Sequence, residues 1–419
     1  MARRASGRRG GGAEGLDYEA LNRRVLELHE RARPRDAQAI YRKVLRDANP
    51  RALAHFGRVA ARYHAFDMAA KLLERAIACG AADADTHNEA GLACLHAGRS
   101  EDALRLLHEA ARLEPGDYRC RANLALVHQE EGDLDEALAV LAPLLESHPD
   151  VPSLALRVGE LQLRRGEPEA ALAQLDAVLE GKPHPTWPLA LRSIALCELG
   201  ESERFHELMR YPEFARCLEA SAPPGFEEIA AFNAQLRKHL VRHRTLARNP
   251  EGYSTRNGRH SLGNLLRDRS PVIEGMERLI HAAVDAYAAA LPPADSADPA
   301  DAHPFLARAE RFRIEAWAVV LERQGYHASH VHRDGWLSGV YYVCVDEVVR
   351  EDDPGYEGWL ELGRGPGELY GLGSEPETEL VRPRSGHFQL FPSFCWHRTR
   401  PFEAKGERVA VAFDVIPAG

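Results

Sequence analysis

No apolar run of the sequence approaches the about 20 residues that a membrane-spanning helix needs, so transmembrane helices are not expected. A basic excess is missing too: the formal net charge is -10, which argues against a general nucleic-acid binder because phosphate neutralisation requires basic residues. The seven cysteines show no Cys-x-x-Cys spacing. An odd, scattered set of this kind favours free thiols in a reducing cytoplasm.

The amino-terminal residues contain no apolar segment of the kind that a secretory signal carries. From Met1 to Gly12 the chain is rich in Arg and Gly, so we expect a disordered basic tail over residues 1–18. A second basic stretch, residues 237–248, is interpreted as the solvated face of a helix.

The length and the overall composition indicate an ordinary globular protein of more than one part. A chain of 419 residues is too long for one compact core and suggests two domains, or a domain and a repeat array. Its 45% hydrophobic and 28% charged residues are typical of globular proteins.

Small residues recur every 34 residues in the first half of the chain. The series are Gly57, Gly91, Ala125 and Gly159; Ala69, Ala103, Ala137 and Ala171; and Pro115, Pro149 and Pro183. Small side chains let two antiparallel helices approach closely, and a proline ends the second helix before the next begins. One such unit cannot bury its apolar face alone, so several must stack. The spacing predicts four helical pairs over residues 53–187, with less regular pairs at 21–49 and 188–209.

The second half changes from helical to strand-like patterns. Two further helices are predicted, over residues 226–246 and 273–291, with a turn at Asn257-Gly258. Short β-type runs then follow at residues 313–322, 337–345, 358–362, 387–391 and 408–416. Because Gly and Pro separate these runs, they indicate a small β-barrel or sandwich with helices outside it.

A group of histidines is the strongest chemical signal. His330 and His332 are two residues apart, so on an extended backbone their imidazoles point the same way. A third imidazole, His397, could complete one face of a metal site. His332 with Asp334 is the rival pair, which would give the two-His-one-carboxylate set typical of non-haem Fe(II). These residues alone leave both choices open. His327 is interpreted as a surface residue in preference to a residue that supports the metal ligands.

The last predicted strand carries a second signal. Its large apolar residues alternate with Arg408, Ala410, Ala412 and Asp414, so one face packs against the core. The other face combines a long cation with two minimal side chains. The space beside that cation suits a bound carboxylate, which an arginine binds through two hydrogen bonds. The alternative is an arginine paired with an acidic residue at the end of a sheet.

Both halves of the chain resemble known families. The 34-residue pattern resembles the tetratricopeptide repeat. From residue 226 to 417 the chain resembles the 2-oxoglutarate/Fe(II) oxygenases that are often fused to such repeats. The matching segments are Trp317, His330-x-His332, Gly335-Trp336-x-Ser338-Gly339-Val340-Tyr341-Tyr342, Phe391-Pro392-Ser393, Trp396-His397, Arg408 and Phe413-Asp414. The resemblance implies an α-solenoid over residues 19–220 and a double-stranded β-helix, or jelly-roll, with flanking helices over residues 221–419.

The resemblance also implies a site. Its metal ligands would be His330, His332 and His397, binding Fe(II), because the position of Asp334 is not part of the family motif. The co-substrate 2-oxoglutarate would contact Arg408, Tyr342 and Ser338, although core packing is an equal alternative for Tyr342. One departure is Arg333, which stands where the family usually has proline.

The implied function is a 2-oxoglutarate-dependent dioxygenase that hydroxylates an unidentified substrate. The repeats favour a peptide or protein partner, and neither a nucleic acid nor a membrane is expected to bind. One alternative is a non-catalytic repeat scaffold with a degenerate oxygenase-like domain. Another is a zinc hydrolase that uses the same imidazoles, although the chain shows no suitably spaced glutamate base.

Overall fold

The computed structural model describes residues 16–30, 33–179, 186–250, 252–292, 303–307, 309–371, 373–374 and 377–418. The chain divides into two compact units, residues 1–131 and residues 132–419. Most of the predicted tail and also Pro183 lie outside the described residues, and the first helix begins at Tyr18. In the described part, no helix is both long and apolar enough to cross a membrane.

The first unit consists of helices that pack in consecutive pairs. They are α1 (Tyr18–Glu30), α2 (Pro34–Leu45), α3 (Pro50–Arg62), α4 (Phe66–Ala78), α5 (Ala84–His96), α6 (Ser100–Leu113) and α7 (Tyr118–Glu131). Apolar residues from successive helices, such as Phe56, Leu72 and Leu107, form one continuous buried core. The predicted stacking of helical pairs is confirmed.

The small residues of the 34-residue series lie where paired helices touch. Gly57 on α3 and Gly91 on α5 are both buried. A Cβ atom added to Gly91 would lie 2.6 Å from Cγ of Leu107 on α6, and one added to Gly57 would lie 2.6 Å from Cγ of Leu73 on α4. Side chains larger than hydrogen would therefore force the paired helices apart.

We expect Gly91→Val to destabilise the first unit by about 1–3 kcal/mol, because its side chain overlaps Leu107 in a packed interface. Urea unfolding followed by circular dichroism measures the change. Gly116→Val is the matched control, since nothing lies within 4 Å of a Cβ added at that turn position. Equal stability of the two variants would contradict the close approach of α5 and α6.

The second unit begins with the last helices of the array and continues into a β-rich part. Its helices are α8 (Leu134–Ser147), α9 (Pro152–Arg164), α10 (Pro168–Leu179), α11 (Thr186–Glu198), α12 (Ser202–Met209), α13 (Tyr211–Phe214), α14 (Ile229–Leu240), α15 (Pro271–Ala289) and α16 (Gly367–Tyr370). Its strands are β1 (Arg216–Glu219), β2 (Leu246–Arg248), β3 (Thr255–Ser261), β4 (Phe312–His330), β5 (Leu337–Cys344), β6 (Leu360–Leu362), β7 (Glu379–Val381), β8 (His387–Pro392), β9 (His397–Thr399) and β10 (Arg408–Pro417).

The strands form an antiparallel sheet in the order β1-β8-β5-β10-β4-β9-β6-β7, and β3 joins it by pairing with β4 and with β2. Alternation of apolar residues along these strands places one face against a large core that also includes Phe232 of α14 and Met276 of α15. The predicted fold class, a helical repeat solenoid followed by a jelly-roll with flanking helices, is confirmed.

Strand β4 is much longer than the predicted run of residues 313–322, because it continues through a bend. Gln324 has a φ of 60°, and a Cβ added to Gly325 would lie 2.5 Å from the carbonyl oxygen of Glu322. Before the bend β4 pairs with β10, and after it β4 pairs with β9. The bend therefore carries the histidine segment from one strand ladder to another.

Two sequence-based expectations for the middle segment were wrong. Asn257-Gly258 is not a turn but a bulge inside β3, where Asn257 has a φ of 48° and the register with β4 shifts. A Cβ added to Gly258 would lie 2.9 Å from the carbonyl oxygen of Val320, so the close approach of β4 requires glycine. The preceding helix ends at Leu240, and Leu246 instead begins β2.

Candidate metal centre

Three imidazoles meet at the end of β4. His330 is the last residue of β4, His332 lies in the loop that follows, and His397 begins β9 directly opposite His330 in the strand pairing. Their ring centroids are 5.1 Å apart for His330 and His332, 4.2 Å for His330 and His397, and 5.0 Å for His332 and His397. One nitrogen of each ring lies within 4.8 Å of the others.

The Nδ1 atom of each imidazole donates a hydrogen bond, which fixes the tautomer. The acceptors are Ala328 O for His330 (2.8 Å), Asp414 Oδ1 for His332 (2.5 Å) and Cys395 O for His397 (3.0 Å). Each Nε2 therefore keeps its lone pair, the form that a metal ion binds. In this structure the lone pair of His330 accepts a hydrogen bond from Ser254 Oγ at 3.2 Å.

Burial keeps the imidazoles of His330 and His397 neutral. Burial lowers the pKa of His330 to about 3 and lowers the pKa of His397 well below its usual value, in both cases with a further contribution from the neighbouring imidazoles. Neutral rings at physiological pH do not need to lose a proton before they bind a metal.

Asp414 and Ser338 support the imidazole of His332 from behind. The carboxylate of Asp414 on β10 accepts from His332, and the Ser338 hydroxyl on β5 donates to the same oxygen at 2.8 Å. Ser338 Oγ also lies 2.8 Å from Ser393 Oγ. These contacts orient the ring, so they favour a supporting role for Ser338, and its contact with a co-substrate stays a prediction. The alternation on the last strand was the sequence signal that placed Asp414 on this face.

Asp334 lines the same cavity but is exposed. Among the residues that the structure describes, the ligand group around His332 consists of His330, His332 and His397 and does not include Asp334. Of the two alternative pairs, the structure therefore brings His330 and His332 together with His397, and not His332 and Asp334.

His327 is not a surface residue, and the interpretation from the sequence was wrong. Its Nδ1 lies 3.3 Å from Thr399 Oγ1, its Nε2 lies 3.2 Å from Thr255 Oγ1, and the ring lines the metal cavity. Burial, followed by the charges of His330 and Arg408, lowers the pKa of His327 well below its usual value. The bend in β4, which the sequence did not reveal, turns this side chain inward.

Arg408 lines the same cavity of about 450 Å³, and the ring of Tyr342 packs beside Arg408. Arg408 is only 2% exposed, its Nε donates to Gly358 O at 3.2 Å, and it makes no ion pair with a carboxylate of the described residues. Its guanidinium carbon lies 5.1 Å from the ring of Tyr342, whose buried hydroxyl has no partner at hydrogen-bond geometry among the described residues, although it is near enough to Arg408 to affect the pKa of both groups. Burial lowers the pKa of Arg408 and raises that of Tyr342 to about 12. A buried guanidinium beside a hydroxyl group offers several hydrogen-bond donors to an anion in this cavity.

Aromatic rings form one wall of the cavity. The ring centroid of Trp317 lies 5.4 Å from that of His332, and the ring of His260 stacks on Trp317 with the centroids 5.8 Å apart. Tyr253 then packs on His260 at 4.6 Å. Of these three, only Trp317 belongs to the motifs noted in the sequence. Tyr253 and His260 lie on either side of Asn257-Gly258, where the sequence predicted only a turn.

Helix α11 of the repeat array contacts the segments that carry two of the imidazoles. The contacts are Arg333 stacked 3.5 Å above Trp187, Thr186 Oγ1 donating to Gly335 O at 2.6 Å, and Trp396 Nε1 donating to Ala190 O at 2.8 Å. Arg333 follows His332 directly, and Trp396 precedes His397 directly. The repeat array therefore forms part of the support of the three imidazoles.

Comparison with protein families agrees with both halves of the structure. Residues 95–157 and 128–197 match the tetratricopeptide repeat, and residues 315–414 match the family described as "Putative 2OG-Fe(II) oxygenase". The chain joins tetratricopeptide repeats to a 2OG-Fe(II) oxygenase-family domain. The oxygenase-family match runs from β4 to the end of β10 and contains the three imidazoles, Tyr342 and Arg408. A comparison with curated proteins finds no match.

Several solved structures of repeat proteins are similar to parts of the chain. A pilF structure from Pseudomonas aeruginosa is 22% identical, with a TM-score of 0.36, and the match covers 46% of this chain and 88% of that one. A tetratricopeptide repeat protein from Parabacteroides merdae is 16% identical, with a TM-score of 0.40 and coverage of 48% and 79%. YrrB, described as a repeat protein with an unusual peptide-binding site, is 23% identical, with a TM-score of 0.32 and coverage of 41% and 90%.

Proposed function

We propose that this protein is a 2-oxoglutarate- and Fe(II)-dependent dioxygenase that hydroxylates a substrate C–H bond. One observation carries the proposal: three imidazoles whose Nδ1 atoms are all hydrogen-bonded share a cavity with a buried arginine that makes no ion pair with a carboxylate of the described residues. The family match of residues 315–414 supports the same chemistry.

The residues present fit an iron ion and its diacid co-substrate. His330, His332 and His397 would hold Fe(II), which imidazole ligands suit, and their position on one side leaves the other side open. When bound, Fe(II) and 2-oxoglutarate supply the oxidation, in which dioxygen is consumed, 2-oxoglutarate becomes succinate and carbon dioxide, and the substrate gains a hydroxyl group.

The chain itself binds and orients the co-substrate. Arg408 would receive a carboxylate of 2-oxoglutarate through two charge-assisted hydrogen bonds, and the unpaired hydroxyl of Tyr342 would donate a third. Asp414 and Ser338 keep the His332 ring in the tautomer that binds metal. The apolar side chains around Arg408, including Val319 and Leu321, exclude water and so strengthen these interactions.

The partner is proposed to be a peptide or protein that the repeat array recruits, since stacked helical pairs present an extended surface. All seven cysteines are described and none forms a disulfide bond. Free thiols support the proposed location in the reducing cytoplasm.

Release of succinate from 2-oxoglutarate, in the presence of Fe(II) and ascorbate, tests the proposal without a known substrate. We expect slow turnover by the wild type and its loss in His397→Ala, because a missing ligand weakens iron binding. His281→Ala is the matched control, since this histidine is exposed on α15. Equal turnover by His397→Ala and the wild type would refute the ligand assignment, whereas a wild type that retains no iron would favour the non-catalytic scaffold.

A further inference from the structure

A second group of potential metal ligands lies outside the cavity described above. His239 is in the last turn of α14, His243 follows that helix by three residues, and Asp268 precedes α15. One ligand atom from each lies within 4.8 Å of the others. None of the three residues lines the oxygenase cavity, and the proposed function does not use them.

The geometry of this group is close to that of a zinc site. Nε2 of His239 lies 2.7 Å from Asp268 Oδ2, and Nε2 of His243 lies 3.5 Å from the same oxygen. Tetrahedral zinc with bonds of about 2.0–2.1 Å separates its ligand atoms by about 3.4 Å. Only small movements are therefore needed to admit an ion between these atoms.

Neighbouring groups already hold two of the ligands in the required orientation. Nδ1 of His243 lies 2.8 Å from Thr245 Oγ1, which leaves Nε2 directed at Asp268. The other carboxylate oxygen of Asp268 accepts from the backbone N–H of Ser270 at 2.8 Å. Contacts of this kind fix the ring and the carboxylate in known metal sites.

Basic side chains surround the group in a cavity of about 770 Å³. They are Lys238, Arg242, Arg244, Arg267 and Arg269. Of these, Arg269 lies 3.6 Å from Glu277, and the other four have no ion-pair partner in the described part of the chain. The interpretation of residues 237–248 as one solvated helix face was therefore wrong, since α14 ends at Leu240, residues 242–244 line this cavity and Leu246–Arg248 form β2.

The charges decide which ligand this cavity fits. A divalent cation alone would gain one negative charge from Asp268 but would be repelled by the basic side chains around it. An anion in the open coordination position removes that repulsion and gives the unpaired guanidinium groups a partner. Phosphate matches arginine geometry and coordinates zinc through oxygen. We propose that His239, His243 and Asp268 form a zinc site whose open position binds a phosphate group held by the surrounding basic residues.

Zinc titration of the full-length protein tests the metal part of this proposal. The wild type is expected to bind zinc at two sites, this one and the three imidazoles of the oxygenase-family domain. His243→Ala should lower the zinc affinity of this site by at least about 100-fold and leave the zinc affinity of the three imidazoles unchanged. Asp268→Asn, which keeps the shape of the side chain, should have the same effect and serves as the second variant in case His243→Ala folds poorly. His397→Ala should affect only the site of the three imidazoles. Two unchanged zinc sites in both His243→Ala and Asp268→Asn would overturn the proposal.

Inorganic phosphate tests the anion part. Phosphate should tighten zinc binding at this site by about 10-fold in the wild type, because the two ligands offset each other's repulsion. Arg242→Gln combined with Arg267→Gln should remove that effect and, in phosphate-free buffer, should bind zinc more tightly than the wild type. Arg278→Gln, a change on the exposed side of α15, is the control. Zinc affinity that is independent of phosphate would overturn this part, whatever the oxygenase assay shows.

Discussion

Arg408→Gln should weaken 2-oxoglutarate binding by about 100-fold or more. A buried guanidinium that pairs with a carboxylate contributes about 2–5 kcal/mol to binding, and glutamine cannot replace its charge. Arg408 is only 2% exposed, so water would compensate little for the loss. Calorimetric titration of the iron-loaded protein with 2-oxoglutarate under anaerobic conditions measures the change.

The same substitution should have the opposite effect on the stability of the protein without ligand. Arg408 is buried, has no carboxylate partner, and burial lowers its pKa, so its charge opposes folding. Arg408→Gln should therefore raise the free energy of unfolding in urea. Tyr342→Phe is the companion variant: its hydroxyl has no partner, so stability should hold while binding falls by about 10-fold. A structural salt-bridging role for Arg408 would instead give lower stability and unchanged binding.

A chain that begins at residue 221 should fail to fold as an independent oxygenase-family domain. Removal of α11 exposes the core side chains of the sheet that pack with Leu191 and Ile194, and it deletes the contacts to Arg333 and Trp396. Residues 132–419 form one compact unit, so the matched control is a chain that begins at residue 132. Circular dichroism and urea unfolding compare the secondary structure and the free energy of unfolding of the two chains.

A point substitution gives a graded form of the same experiment. Trp187→Ala should cost about 3–5 kcal/mol in the control chain, because a nearly buried tryptophan is lost from beneath Arg333. Trp187→Phe should restore part of that stability. If the chain from residue 221 unfolds with the same free energy as the longer one, the boundary predicted at residues 220/221 would be correct and the helical contacts would be unimportant.

The sequence predicted best those features that depend on local periodicity. The recurrence of Gly57 and Gly91 required close helix pairs, and that requirement does not depend on the rest of the fold. The inward face of β10 was visible for the same reason, since Arg408 and Asp414 alternate with large apolar residues. These signals predicted the stacked helical pairs and the inward face of the last strand, whereas the jelly-roll was implied by the family resemblance.

Features that depend on pairing between distant segments were not visible in the sequence. Asn257-Gly258 has the composition of a turn, and only its pairing with β4 makes it a bulge. The inward position of His327 depends on the bend at Gln324, a residue that carries no turn signal. The contact of Trp187 with Arg333 joins segments that are far apart in the chain. In each case tertiary structure overrides the local preference.

The bend of β4 has a mechanical consequence. Before the bend, β4 pairs with β10, whose Asp414 accepts a hydrogen bond from His332. After the bend, β4 pairs with β9, where His330 lies opposite His397. One ion bound to all three imidazoles would cross-link the β4–β10 ladder and the β4–β9 ladder. Removal of a bound ion should then lower the free energy of unfolding of this unit, apart from any effect on the proposed activity.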